Sequence, residues 1–491
     1  MQDDENQLIK VRKVKLEDLR KLGVNPYAYK FDKKHYSADV IEENKKLKKD
    51  GKSKKTVVLA GRIVSLRPMG KVGFGHLLDS KGQIQFYVRE DNLGKDAYKI
   101  FNKLDMGDII GVTGTVFRTK KGEISVWVKK IDVLTKGLRA LPEKWHGLKD
   151  PELRYRQRYV DLIVNPEVKE VFLKRSVIIR SIRDFLNDEG YTEVETPILQ
   201  PIYGGTSARP FESYINALNM KVYMRISNEL YLKRLITGGY EKIFEFSPDF
   251  RNEGIDKTHN PEFLQMETMN AYANYEDNME FLQKMLVAVV KNVLKSTRIK
   301  YQESVIDFKL PWKKMTMVEA IKRHADVDMK DISLDKAKHA ARKLNVEIND
   351  KMKVGEVINA IFEEKVQPNL VQPTIIYDYP VDISPLAKKK EKDENFVERF
   401  ELFINGWEIA NVYSELNDPE ELKKNFQEQM NKLKEGDLEA QPFDKDFLRC
   451  LEYGMPPTSG IGIGIDRLVM LLTNSPSIRE VIFFPFLRPE E

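Results

Sequence analysis

Cysteine is almost missing: Cys450 stands alone in a chain of 491 residues. An intrachain disulfide and a zinc site built on clustered thiolates are both excluded. No apolar run reaches about eighteen residues, so no helix of this sequence is expected to cross a bilayer. The first residues, with Asp3, Asp4 and Glu5, precede no apolar segment of secretory type, and a cytoplasmic location is expected. A P-loop is also missing. So is charge of one sign, since 81 Lys/Arg stand against 76 Asp/Glu for a net +5. The basic excess sits at the front, where residues 1–55 hold 16 Lys/Arg and 10 Asp/Glu and the remainder sums to about −1. Its densest stretch, Lys45 to Lys55, reads as a solvated helix end and linker or as a contact for a phosphate backbone. What remains, 41% apolar and 32% charged, is a globular composition on a chain long enough for two or three domains.

Residues 7–22 have helical spacing and stop at Gly23, before the turn-like Asn25-Pro26. A second helical stretch lies near 38–50. From Thr56 the texture changes to short strand-like runs at 57–66, 74–78, 84–88, 109–117 and 124–133. A helical insert at 96–104 separates the third from the fourth, an order that matches a five-stranded OB-fold β-barrel, with another small barrel as the alternative. Residues 138–165 read as an arginine-rich linker with short helices. A long helix starts after Pro166 and stops at Gly190, followed by a strand at 192–195. Further strand-like runs occupy 221–226, 241–253, 262–272, 374–381, 396–404, 407–413 and 459–465. Helices are predicted at 228–236, 276–296, 335–344, 354–365, 419–434 and 464–473. Neighbouring strands joined by hairpins imply a mostly antiparallel sheet and an α+β fold class. The expected division is a helical extension over 1–54, the barrel over 55–137, the linker over 138–165 and a large domain over 166–491. A helical insertion at about 324–370 is too generic for its residues to be assigned roles.

Two stretches far apart in sequence carry the chemistry. In the first, Phe250-Arg251-Asn252-Glu253 is followed by His259-Asn260-Pro261-Glu262-Phe263. Strand parity puts Arg251 and Glu253 on one face, and Phe263, Gln265, Glu267 and Met269 on one face of the return strand. Arg251 suits a bidentate grip on an α-phosphate, Phe263 can stack a base, and His259 sits where it reaches outer phosphates. The second stretch, Gly460 to Arg467, places Arg467 at a helix start, able to reach a γ-phosphate and cover a purine. Each residue alone could be a surface ion pair or a core ring; as a set they describe a site for a bent nucleoside triphosphate.

Asn405-Gly406 is a strong hairpin signal. Its register sets Phe403 opposite Glu408 and Glu401 opposite Ala410, with Leu402, Ile404, Trp407 and Ile409 on the apolar face. Glu401 and Glu408 then share the other face, as magnesium beside a triphosphate requires. Asn411 and Glu415 fall on the wrong face unless the strand bulges or bends after Ile409. Glu229 lies just inside a helix that Ser227 can cap. With Glu267 and Glu415 it gives a surplus of negative charge suited to a substrate ammonium group.

These residues resemble the class II aminoacyl-tRNA synthetases, and among them the bacterial-type lysyl-tRNA synthetases, over nearly all of Leu19 to Pro489. The resemblance covers the helix 167–189 through Glu195-Thr196-Pro197, the segment Phe250–Phe263, and Gly460–Arg467. It extends to Arg154–Tyr159, Gly204–Phe211, Glu229–Arg234 and Ser414–Asp418. It implies a six-stranded antiparallel catalytic sheet, an anticodon-reading OB-fold, a homodimer built on the first of these segments, and lysine, ATP and tRNA(Lys) as substrates. It further implies that Arg251, Glu253, His259, Phe263, Glu408 and Arg467 bind ATP, with Arg251 and Arg467 as the catalytic pair and Glu401 and Glu408 as ligands for one or more of several Mg2+ ions. Gly205, Glu229, Glu267, Asn411 and Glu415 correspond to lysine-site residues. Arg67, Phe74, Gln85 and Glu123 correspond to positions that contact the anticodon. Met269 departs from the family, which usually has tyrosine there; thioether replaces phenol and a hydroxyl donor is lost from the lysine pocket. The implied reaction is two-step ligation through lysyl-adenylate. Competing readings are an aspartate or asparagine enzyme of the same subclass, a lysine ligase acting on a protein, and a non-catalytic OB-fold binder of nucleic acid.

Overall fold

The computed structural model describes residues 2–142 and 148–490; positions 143–147 of the expected linker lie outside the described residues. The chain forms two compact units, 1–149 and 150–491. Among the described residues no helix is long and apolar enough to cross a membrane.

In the first unit, helix α1 (Gln2–Lys21) precedes five strands: β1 (Lys52–Met69), β2 (Val72–Leu78), β3 (Gln83–Arg89), β4 (Ile109–Arg118) and β5 (Ile124–Thr135). They close into a barrel in the order β1-β2-β3-β5-β4, with β4 pairing back to β1. The alternation read from the sequence is the cause: Ile63, Phe86, Val88, Val112 and Val126 point inward and are fully buried. The helical insert between β3 and β4 is present as Glu90–Leu93 and Lys95–Phe101. Arg12 ties α1 down by donating to the carbonyls of Gly137, Arg139 and Met106 at 2.9–3.1 Å.

The second unit begins with two short helices, Pro151–Arg156 and Arg158–Val164, and continues into α2 (Pro166–Asp188). Its main sheet comprises β6 (Thr192–Glu193), β7 (Lys242–Phe250), β8 (Glu262–Ala271), β9 (Lys313–Thr316), β10 (Thr374–Pro380), β11 (Asp393–Ile404), β12 (Trp407–Ser414) and β13 (Thr458–Gly464). The order is β9-β10-β11-β12-β13-β8-β7-β6, and the short strand Lys389–Lys390 on β11 makes nine. The expected six antiparallel strands are its centre, β10 to β7; parallel additions of β6 and β9 make the whole sheet mixed. These additions run two to four residues, too short to show a period-two pattern.

Three helices cover one face: α2, α3 (Glu229–Thr237) being set apart at the site, with α4 (Tyr275–Leu294) and the C-terminal Ile465–Thr473 completing the layer. Ile178 and Ile182 of α2, Leu282 and Leu286 of α4, and Ile461 and Ile463 of β13 share one core. Asn274 caps α4 in a reciprocal box with Asp277. α5 (Met317–Ala325), followed in the insertion by α6 (Leu334–Lys343) and α7 (Val354–Lys365), packs with them on β10 and β11 in a second core that includes Phe362 and Phe403.

One register expectation is corrected. Phe403 does face Glu408, but Leu402 faces Ala410 and Glu401 faces Asn411, because the ladder shifts there and leaves Ile409 as the extra residue. This is the bulge that Asn411 and Glu415 require.

Candidate active site

A cavity of about 810 Å3 opens on the face of the sheet opposite α4. It is built by alternation. On β8, Phe263, Gln265, Glu267 and Met269 line it while Met266 enters the core. On β13, Ile461 and Ile463 go to the core, so the glycines between them face the cavity. Gly464, Gly462 and Gly460 pair directly with Gln265, Glu267 and Met269. A Cβ on Gly460 would come within 2.6 Å of Glu415 Oε1 and 2.9 Å of Met269 Sδ, so glycine is there to admit its neighbours.

All thirteen expected catalytic-unit positions line this one cavity: Arg251, Glu253, His259, Phe263, Glu408 and Arg467, then Glu401, and Gly205, Glu229, Glu267, Met269, Asn411 and Glu415. At one end the Arg251 guanidinium lies 4.9 Å from the Phe263 ring centre, and its Nε donates to the Ile226 carbonyl at 3.4 Å. Arg251 follows the end of β7 at Phe250, yet its N–H still donates to Pro261 O at 2.9 Å, keeping the side chain on the cavity face. Arg467 donates to the Glu408 carbonyl at 2.9 Å, and its other terminal nitrogen is 3.0 Å from His259 Nε2. Its neighbour Asp466 fixes the helix start by accepting from Leu264 N at 2.7 Å and pairing with Arg175.

The acidic hairpin supplies the next wall. Burial, the Glu408 charge and Arg399 act in that order on Glu401, the first two raising and the last lowering, and its carboxyl stands at about 7. The Arg399 guanidinium reaches Glu401 Oε1 at 2.5 Å and Asn411 Oδ1 at 3.1 Å. Among the described residues no group of three or more acid, histidine or cysteine side chains could hold a metal alone. Two carboxylates close enough for the charge of Glu408 to raise Glu401, beside an arginine-lined space, fit a hard cation that takes its remaining ligands from phosphate and water.

At the far end three buried carboxylates meet. Glu267 Oε1 accepts from Ser227 Oγ at 3.2 Å and Gln265 Nε2 at 2.8 Å. Burial, then the charges of Asp249 and Glu229, push this carboxyl well above the usual range. Burial also pushes Glu415 up, to about 8, although Lys233 opposes it. Glu229 follows the turn capped by Ser227 Oγ, which accepts from its N–H at 3.1 Å. Tyr413 donates its hydroxyl to Glu229 Oε2 at 2.6 Å. Gly205 adopts φ +96° and its N–H donates to Gln441 Oε1 at 3.1 Å; a Cβ there would lie 2.9 Å from Ser227 Oγ. Sequence reasoning missed Lys233, Arg399, Tyr413 and Gln441. Lys233 was readable as the i+4 partner of Glu229, and Arg399 as a same-face neighbour of Glu401. Gln441 lies in a loop and carried no signal.

On the barrel, Arg67 pairs across the strands with Phe74, whose ring packs 4.7 Å from Tyr87 and stays outside the core. Gln85 donates to Glu123 at 2.8 Å, and Glu123 also lies 2.9 Å from His76 Nε2. Arg67, Phe74 and Gln85 thus occupy the adjoining strands β1, β2 and β3, and Glu123, just before β5, bonds Gln85. Tyr87 also contacts Phe117 and Trp127, and Lys52 lies 4.3 Å over the Trp127 ring. These rings extend the aromatic surface beyond the residues expected from the sequence.

An antiparallel sheet carrying paired arginines, an acidic hairpin and a glycine-lined strand is the catalytic architecture of class II tRNA synthetases. The family described as tRNA synthetases class II (D, K and N) matches residues 150–488, and the OB-fold nucleic acid binding domain matches 57–134. A lysine--tRNA ligase of Carboxydothermus hydrogenoformans is 51% identical over 99% of both chains. Those of Bacillus subtilis and Oceanobacillus iheyensis are 50% and 49% identical, over 98% and 99% of this chain and 97% and 100% of their own. The chain belongs to the lysine--tRNA ligase family.

Proposed function

We propose that this protein ligates L-lysine to tRNA(Lys) at the expense of ATP, through enzyme-bound lysyl-adenylate. The observation that carries the reading is one cavity holding Arg251, Phe263 and Arg467 at one end and Glu229, Glu267 and Glu415 at the other. The adenine stacks on Phe263, with Arg467 over its other face; Arg251 grips the α-phosphate; Glu253 and His259 meet the base edge and the outer phosphates. Glu401 and Glu408 would hold magnesium, which when bound neutralises charge on the phosphates.

At the other end the acids take the ammonium groups of lysine while Met269 lies along its stem, and Gly205 and Asn411 complete the pocket. So placed, the lysine carboxylate attacks the α-phosphorus in line and pyrophosphate leaves. The terminal ribose hydroxyl of tRNA then attacks the acyl carbon and AMP leaves. No side chain becomes a covalent nucleophile; positioning and charge neutralisation by Arg251 and Arg467 supply the rate. Arg67, Phe74, Gln85 and Glu123 read the anticodon by stacking and base-edge hydrogen bonds. The protein works as a homodimer in the cytoplasm: α2 leaves Leu173 and Val177 exposed, and Ile198 and Leu199 are exposed after it, as a face for a second copy would be.

An aspartate or asparagine enzyme would need a cation or amide-reading groups facing the side chain. Lys233, behind this pocket wall, is tied to Glu229 and Glu415, and Arg399 is tied to Glu401 and Asn411. Pyrophosphate exchange with each amino acid in turn tests the reading. Lysine alone is expected to support exchange, whereas exchange driven by aspartate or asparagine overturns it. In the same preparation Phe74→Ala is expected to leave exchange unchanged and raise the KM for tRNA(Lys) by about tenfold or more, the worth of one lost base stack.

A further inference from the structure

We propose that Lys233 is a positioning residue of the amino-acid pocket, a resident cation that offsets one of its three carboxylates and leaves two negative charges for a substrate bearing two ammonium groups. This rests on the lysine reading above. Lys233 lies behind the cavity wall on α3, one helical turn from Glu229 and fully buried. Its Nζ is 2.5 Å from Glu229 Oε1 and 2.5 Å from Glu415 Oε2. The Tyr413 and Phe447 rings stand 5.5 and 6.0 Å away.

The other groups around the triad are engaged elsewhere. Tyr413 donates to the second oxygen of Glu229, and Glu267 is held by Ser227 and Gln265. Asp249, whose charge is felt by Glu267, lies 3.3 Å from Arg225 Nε, and that arginine also pairs with Glu245 at 2.7 Å. Among the described residues, only Lys233 forms ion pairs with two members of the triad.

Three buried carboxylates without an internal cation do not all ionise; a proton enters instead. Burial alone would lower the Lys233 ammonium, but Glu229 and Glu415 outweigh it and hold it charged, at about 12. The bridge also fixes both carboxylate rotamers before substrate arrives. With all three carboxylates ionised in the complex, a surplus of two negative charges matches the α- and ε-ammonium groups of lysine. An amino acid with a single ammonium leaves one buried charge unpaired, which is costly.

The test measures lysine-dependent pyrophosphate exchange from pH 6 to pH 9 for wild type, Lys233→Met, and Lys233→Met with Glu415→Gln, each checked for folding by circular dichroism. For the single variant the KM for lysine is expected to rise about tenfold or more at pH 7, with kcat at saturating lysine within about threefold of wild type. Its KM is also expected to fall less steeply with rising pH than that of wild type, because two ammonium groups neutralise only two of the three carboxylates and the third must keep or take up a proton in the complex. The double variant restores the surplus of two and is expected to bind lysine more tightly than the single one. A wild-type pH slope in Lys233→Met, or a double variant weaker than the single one, overturns the proposal. If Lys233→Met does not fold, the double variant decides: folding with measurable lysine-dependent exchange supports the proposal, and its failure to fold or to exchange overturns it. No lysine-dependent exchange in wild type refutes the lysine reading itself and not the role of Lys233.

Discussion

Arg251→Ala is expected to lower lysine-dependent pyrophosphate exchange by about a thousandfold or more, a loss of roughly 4 kcal/mol of transition-state stabilisation. The fold is expected to survive, because Arg251 is half-buried and its side chain makes one long bond to Ile226 O together with the Phe263 ring contact. Arg225 is the instructive contrast. It is fully buried and paired with Glu245 and Asp249, so its loss would leave buried acids uncompensated and damage the fold. Arg251→Lys keeps the charge but loses the planar fork, and an intermediate rate is expected. Circular dichroism beside the exchange assay separates the two effects, and near-normal exchange in Arg251→Ala removes the residue from the phosphate-binding role.

Glu267→Gln is expected to raise the KM for lysine by about a hundredfold, since the buried carboxylate facing an ammonium group is worth about 3 kcal/mol. The same substitution is expected to stabilise the ligand-free protein at pH 8. Glu267 is raised well above the ordinary range, Glu415 stands at about 8 and Glu401 at about 7. For such groups the folded state binds more protons than the unfolded chain between the ordinary and the raised values. The unfolding free energy therefore falls as pH rises from the ordinary glutamate range, about 4.3, through the raised values. Removing one of these acids flattens that fall, and a gain of about 2–4 °C in Tm at pH 8 is expected, with little change at pH 5. Saturating lysine should have the same effect on wild type by pairing the charges. A variant less stable than wild type at pH 8 would contradict the assignment of Glu267 as an uncompensated buried acid.

Much of this site was legible because the patterns that make it are local. Period-two alternation on β8 and β13 separates cavity from core, so Phe263, Gln265, Glu267 and the glycines follow from parity. Asn405-Gly406 closes the acidic hairpin where expected. The bulge at Ile409 was the limit of that logic. The chemistry required an irregularity, but no pattern fixes where one extra residue enters a ladder, so Glu401 was paired with Ala410 and not Asn411. Lys233 was passed over because a lysine at helical spacing from a glutamate ordinarily means a solvated surface pair. Only the burial of α3 beneath the cavity makes it an interior charge. The insertion helices are generic for the same reason: their shared core with Phe403 of β11 is a tertiary fact.

The central claim is that nucleotide and lysine meet in one continuous cavity. Calorimetric titration with lysyl-sulfamoyl adenosine, an unreactive analogue of the adenylate, tests it most directly. The analogue is expected to bind about a thousandfold or more tightly than lysine or ATP alone and to displace both, because linking two ligands of one cavity avoids a second loss of rotational and translational freedom. Affinity no better than that of lysine alone, or failure to displace either substrate, would contradict the account.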